Sequence, residues 1–426
     1  MRSDASGHRA TASEGELPPE LPRGFLSGLL LSYFGLYLAV LTPVMVSMAF
    51  KLEHITDSSQ RATAALGLVA GVGAVVGMIV HPVSGRLSDR TRSRFGRRRP
   101  WILGGTITGV IGLGCVGLAP NVPLVLISWC LAQAGLNAAM TAVQAAVADQ
   151  VPRDRLGRIS GLAGVTTPLS ILAGSVLITV LSGDVPRFLV PGLIALVLVF
   201  PLLLRLDDRP FEGVLEPYGW QQFSRSFGFD PRKHASFSWV MASRFLVMFG
   251  YAGIGTFFPF FLAEKFALAE REVTRTVLLV NVATVVSLSL SAPIGGFLSD
   301  RIARRRPFVA VSGLIMAMGL ALLAFAPTLG AVLLAQGVIG MGLGAFTAVD
   351  QALSTQVLPN PDDTAKDLGL LALAGSLPQS IGPVIAPAVI AVGNATALGG
   401  YSAWYLLGAV ACLAGAVSIY RVTAVR

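Results

Sequence analysis

Asp350 and Arg244 each interrupt a long apolar run, and no other residues in the chain look so able to do chemistry. A lone carboxyl group in apolar surroundings can take up and release a proton. A guanidinium can neutralise it or hold an anion. Asp350 lies nine residues before Pro359, so about 13 Å into its run if that run is helical. Arg244 lies eight residues after Ser236, about 12 Å in on the same scale. Matched depth predicts an ion pair, because neither charge should stay unpartnered in a low dielectric. Ionisable groups inside a membrane-length run are functional candidates by default. The competing arrangement has Arg244 extending its stem to the surface and Asp350 capping something local. If the pair forms, Asp350 is expected to carry a coupling proton.

Helical spacing adds a polar stripe to each of two runs. Gln133, Asn137, Thr141 and Gln144 fall within one arc of about 80°, and Gln336, Gly340, Thr347 and Asp350 do the same. Aligning the two halves on their basic motifs sets Gln144 within a residue of Asp350, one neutral and one acidic. A polar stripe aimed at lipid is untenable, so each must line a cavity or pack between helices; the cavity is the expectation. Tyr33 and Tyr37, one turn apart, could stack on a sugar face or a flat apolar solute. Asn281 and Gln379 complete the set.

Membrane-length elements must carry these residues. A helix crosses the hydrocarbon in about 20 apolar residues. On that measure twelve spans are predicted: 25–50, 63–84, 101–119, 123–149, 159–182, 187–206, 237–262, 274–298, 308–326, 329–351, 368–392 and 400–421. The expected organisation is a disordered tail at 1–24, a six-helix bundle at 25–206, a linker at 207–236, a second bundle at 237–421 and a tail at 422–426. The tail carries Pro18, Pro19 and Pro22 and lacks the apolar core of a signal peptide.

The halves share a charge-dense hinge. GRLSDRTRSRFGRRRP spans Gly85–Pro100 and GGFLSDRIARRRP spans Gly295–Pro307. With both termini, both hinges and the linker on one side, that side holds roughly three quarters of the lysines and arginines, and the positive-inside rule makes it cytoplasmic. The protein is therefore expected in the plasma membrane as a monomer.

Composition agrees with a lipid solvent and excludes several other classes. Apolar residues make up 54% of the chain and charged residues 13%, against about a quarter charged in soluble proteins. The net charge of +9 sits in short loops, which argues against a nucleic-acid partner. Cys115, Cys130 and Cys412 lie in apolar runs without metal-ligand spacing, and the histidines form no helical pair, His81 alone lying near a span. No catalytic cluster and no metal or other cofactor is expected. The glycines at Gly71–Gly77, Gly109–Gly114 and Gly340–Gly344 suit close helix packing, since no phosphate-binding partner follows them.

The duplicated hinge resembles the loop between helices 2 and 3 of the major facilitator superfamily, with its echo between helices 8 and 9. The extended form in TRSRFGRRRP is similar to that of the glycoside–cation symporters and sucrose transporters. The resemblance implies an all-α membrane fold of two pseudo-symmetric six-helix bundles, with helices 1, 4, 7 and 10 lining a central path. It implies alternating access by rocking the bundles about a site near the midplane. Asp89 would dock at a helix end of the opposite half, with Gly85 and Gly96 shaping the approach. Arg90 or Arg94, together with Asp149, would complete a charge network, and Arg97 belongs to the same gating motif. Gly295, Asp300 and Arg301 would be the second-half counterparts. The expected function is secondary transport of a small organic solute, proton-coupled and sugar- or glycoside-like. The alternative is efflux of an amphipathic compound, which a mean hydropathy of +0.70 allows. The chain departs from its look-alikes in helix 4, which offers Gln144 rather than a deep acid, and in helix 8, where the arginine, Arg275, lies at the outer edge.

Overall fold

The structure is a computed structural model that describes residues 22–208, 234–252, 254–302, 304–357 and 364–422. Most of each expected tail and most of the expected linker lie outside the described residues. Among those residues, twelve helices are long and apolar enough to cross a bilayer. They are α1 Phe25–Ile55, α2 Ser59–Asp89, α3 Arg99–Leu118, α4 Val122–Gln150, α5 Arg155–Val180, α6 Asp184–Arg205, α7 Ala235–Phe266, α8 Glu270–Ile302, α9 Arg305–Ala324, α10 Leu329–Ser354, α11 Gly369–Asn394 and α12 Gly400–Arg421.

Two features depart from the spans read off the sequence. Helices α2 and α8 overrun them, so the Ser-Asp-Arg triplets begin as the last turn of helix rather than as loop. The hydropathy scale marks where hydrocarbon ends, but the backbone stays helical into the headgroup layer while its hydrogen bonds remain satisfied. Within α1, Pro43–Ser47 forms a π turn. A proline cannot donate its share of the ladder, and the wider turn absorbs the break.

The helices assemble as two matching sets. In the first half α1 packs on α5 and α6, and α3 and α2 pack on α4. In the second α7 packs on α11 and α12, and α9 and α8 pack on α10. Small residues permit the close crossings that replace the hydrophobic drive missing in lipid. A Cβ on Gly135 of α4 would come within 2.5 Å of the Gly105 carbonyl oxygen of α3. One on Gly408 of α12 would come within 2.8 Å of the Gly250 carbonyl oxygen of α7. Even the caps repeat: the Asn121 side chain accepts the Leu124 N–H at the start of α4, and Thr328 accepts the Ala331 N–H at the start of α10. Large apolar side chains such as Leu118, Val180, Leu204 and Val417 stand more than two-thirds exposed around the outside, as a lipid-facing surface requires.

The halves meet at one end. Helix α2 lies against α11, α5 against α8, and the adjoining parts of α1 and α7 against each other. At Gly67 and Gly71 of α2 an added Cβ would collide with Pro387 and Val384 of α11. Thr63 of α2 and Tyr401 of α12 bring their hydroxyls to 3.3 Å. These residues lie toward the end opposite the arginine-rich hinges. Among the described residues, these contacts between the halves lie toward that far end.

Candidate functional site

Arg244 and Asp350 do meet. Arg244 Nε lies 3.2 Å from Asp350 Oδ2, with the acid's side chain 3% exposed and the arginine's 20%. The pair joins α7 to α10, whose backbones make little contact, so it bridges the gap between two helices expected at the central path. Gly375 of α11 leaves room for the guanidinium, since a Cβ there would stand 3.3 Å from Arg244 Nε. The arginine is therefore directed inward and does not reach along its stem to the surface.

The α4 stripe has a different fate. Trp129, with Gln133 behind it, faces Gly73 of α2, Asn137 faces Gly77 and Thr141 faces Gly85. Asn137 donates at 2.8 Å to both the backbone carbonyl and the side-chain oxygen of Gln133. Gln133, Asn137 and Thr141 thus pack on the glycine face of α2, and the amide pair bonds within α4, which departs from the expectation that the whole stripe lines the cavity. Period fixes which side of a helix is polar; the glycines of α2 decide what covers it. Only Gln144 is exposed, and its Oε1 lies 3.1 Å from His81 Nε2.

The other candidates scatter. On α10, Gln336 is buried and Thr347 exposed. Tyr33 and Tyr37 stack with centroids 6.2 Å apart. Asn281 of α8 donates to Ser175 of α5 at 2.8 Å, so it ties the halves together. Gln379 is exposed on α11.

At the basic end two neighbouring arginines, Arg98 and Arg97, reach the acids. Arg98 Nε is 2.8 Å from Asp149, its Nη2 is 2.5 Å from Asp89, and its Nη1 donates to Ser88. Arg97 Nη2 lies 2.9 Å from the other Asp149 oxygen. Arg94 instead lies over the Phe95 ring at 4.8 Å, and Arg90 stands exposed at the end of α2. Burial pulls the Arg98 guanidinium down, and Asp149 and then Asp89 more than reverse this, so its pKa stands above the ordinary arginine value. Asp89 thus pairs within its own half, and Gly85 serves the crossing with α4, its Cβ position 3.2 Å from Thr141.

Asp208, just past α6, aims this cluster. Its carboxylate accepts the N–H groups of Arg97, Arg98 and Arg99 at 3.0, 2.7 and 2.7 Å. Three orphan donors at a helix start are satisfied by one anion placed where the helix dipole favours it. The turn into this cap needs Gly96, whose φ is +95° and whose added Cβ would overlap Asp208.

The second half keeps less of the lock. Gly295 packs on Ala345 of α10 and Arg301 is exposed. Asp300 pairs with Arg305 at 3.3 Å, and Arg305 donates to the Ala352 carbonyl. Aligning the arginine triplets puts Gln356 where the first half has Asp149.

A further network at the far end had no sequence signal beyond isolated charges. Lys51 of α1 pairs with Asp184 of α6 at 2.9 Å and donates to the Gly117 carbonyl. His54 stands 3.4 Å from Asp184 and 3.6 Å from Glu270 of α8. Arg187, 7% exposed, pairs with Glu270 across the halves and lies 5.6 Å over the Phe50 ring.

The comparisons with known proteins agree with this architecture. The family model of the Major Facilitator Superfamily matches residues 25–289 and 240–425. The chain is similar to an uncharacterized symporter of Synechocystis sp., 47% identical over 58 residues, 14% of this chain and 11% of that protein. It is also similar to the general alpha-glucoside permease of Schizosaccharomyces pombe, 30% identical over 108 residues, 22% of this chain and 20% of that one. The matched stretches therefore span a fifth or less of these curated relatives. A crystal structure of the nucleoside transporter NupG superposes with a TM-score of 0.74 at 14% identity, covering 94% of this chain and 99% of that one. That identity speaks for the fold alone. With the family match running through both bundles and the duplicated twelve-helix fold in place, the chain belongs to the Major Facilitator Superfamily of membrane transporters.

Proposed function

We propose that the protein is a proton-coupled secondary transporter of a small organic solute, with the Arg244–Asp350 pair as its coupling site. The basic end faces the cytoplasm, because lysines and arginines mark that side, and the membrane is the plasma membrane. The conformation is then inward-open, its far-end contacts forming the closed extracellular gate. One observation carries the reading: a 3%-exposed carboxylate held by Arg244 between α7 and α10. A carboxylate that loses such a partner in a low dielectric binds a proton rather than remain an isolated charge. Making and breaking the pair as the halves rock would therefore move a proton with each cycle.

The local likeness to a symporter and to an alpha-glucoside permease supports uptake of a polar, sugar-like solute. The experiment is solute-dependent proton flux in proteoliposomes of the wild type and Asp350→Asn. The wild type is expected to accumulate solute against its gradient when the outside is acidic. Asp350→Asn is expected to keep exchange of solute for solute and lose accumulation. Proton-driven accumulation that survives intact in Asp350→Asn would remove the acid from the coupling role.

A further inference from the structure

Within the pair, the two partners are not equally enclosed. Asp350 is shut in while Arg244 is one-fifth exposed. Asp350 is the sole polar partner of the Arg244 side chain among the described residues, and it is met through Nε. The two terminal nitrogens of the guanidinium are left without a hydrogen-bond partner among those residues. Such a fork matches the two oxygens of a carboxylate in bidentate geometry, which an ammonium or an amide cannot reproduce. The glycine at position 375 keeps the α11 side of the guanidinium uncrowded.

The neutral hydrogen-bonding groups nearby are few. A polyol needs donors and acceptors around most of its ring. Gln133 and Asn137 are hydrogen-bonded to each other and packed on α2, and the Thr347 hydroxyl donates to the Gly344 carbonyl. Gln144 and His81 already face each other. Besides the amides of Gln336 and Gln379, the largest donor group without a full set of partners among the described residues is the planar, cationic fork of Arg244.

We infer that the solute carries an oxyanion, a carboxylate foremost, which docks on the terminal nitrogens of Arg244. This rests on the transport reading above and narrows its solute class. Docking puts two carboxylates on one guanidinium, and like charges sharing such a site do not both stay ionised. Asp350, the enclosed one, takes a proton from the water on the open side; the proton bonds to a carboxyl oxygen and no other bond changes. Arg244 is the charged group within ion-pair reach of Asp350, from α7, and the described residues of the other helices present no second. Empty, the site holds one cation and one anion. Loaded, it holds one cation, the anionic solute and a neutral acid. Both forms can reorient without carrying net charge through the membrane.

The test uses three probe pairs that differ chiefly by a carboxylate: D-glucuronate with D-glucose, D-gluconate with D-sorbitol, and benzoate with benzamide. Thermal stabilisation and proton uptake are read in weakly buffered detergent solution, and proton flux in proteoliposomes. The expected result is binding and proton flux with at least one carboxylate and none with its neutral partner. About one proton is taken up per bound anion by the wild type and none by Asp350→Asn, which still binds. Arg244→Lys keeps the charge without the fork and is expected to bind roughly tenfold or more weakly. Equal affinity in Arg244→Lys, or stabilisation by no carboxylate, overturns the inference. Proton flux driven by neutral members alone would sink the anion site and leave coupled transport standing. Absence of any solute-dependent proton flux would sink both.

Discussion

Arg244 and Asp350 are mutually dependent as charges. Truncating one partner of a buried pair costs about 3–5 kcal/mol when the other is left uncompensated, and the partial exposure of Arg244 puts this case at the lower end. Arg244→Gln and Asp350→Asn should each destabilise the protein, and the double variant should cost less than their sum, with a coupling of roughly 0.5–3 kcal/mol. Thermal unfolding of the four proteins of the cycle in detergent checks this; strict additivity would show that proximity carries no energy. The pair was legible in the sequence because each charge interrupts an apolar run at a depth that can be counted from a nearby boundary. The choice of Arg98 over Arg94 was not. Several arginines crowd the hinge, and which one reaches Asp149 depends on how the turn at Gly96 aims the start of α3. The sequence shows that glycine but not the Asp208 carboxylate it faces.

For the helices, periodicity identified the polar face of α4 but not the neighbour that covers it. The glycine stripe of α2 was visible as a packing signal, yet nothing in either segment alone says the two stripes face each other. The start of α3 offers a clean test of element-level design. Asp208→Ala removes a cap that serves three N–H groups and should cost about 1–2 kcal/mol, the upper range for helix caps. Gly96→Ala should act in the same direction, since its positive φ and the adjacent carboxylate both exclude a side chain. Both variants are expected to loosen Arg97 and Arg98 together, read as faster amide exchange across Arg97–Trp101. Unchanged exchange in Asp208→Ala would show that the linker side of α6 does not hold the hinge.

Seen as a whole molecule, the fold class and the twofold repeat were legible because each hinge is a long string of unusual residues between apolar runs. The far-end gate was not, because Lys51, Asp184 and Glu270 are far apart in the chain and meet only when both bundles close. On the alternating-access reading proposed above, that gate sets the balance between the two open states. Charge-assisted hydrogen bonds contribute roughly 1.5–3 kcal/mol each, so Glu270→Gln should shift the population toward far-end opening by about tenfold or more. Spin labels placed on the far-end loops would report longer separations. Gly67→Leu should shift it the same way by wedging α2 off Pro387, and unchanged separations in both variants would mean that the described contacts do not govern closure.

The packing of the α4 polar stripe on the glycines of α2 bears on anyone who wishes to retune the cargo. Mutating Gln133 or Asn137 would loosen the scaffold of its own bundle before it altered recognition. Libraries seeking new selectivity belong at the exposed positions Thr347 of α10 and Gln379 of α11, leaving in place the Arg244–Asp350 pair that joins α7 to α10.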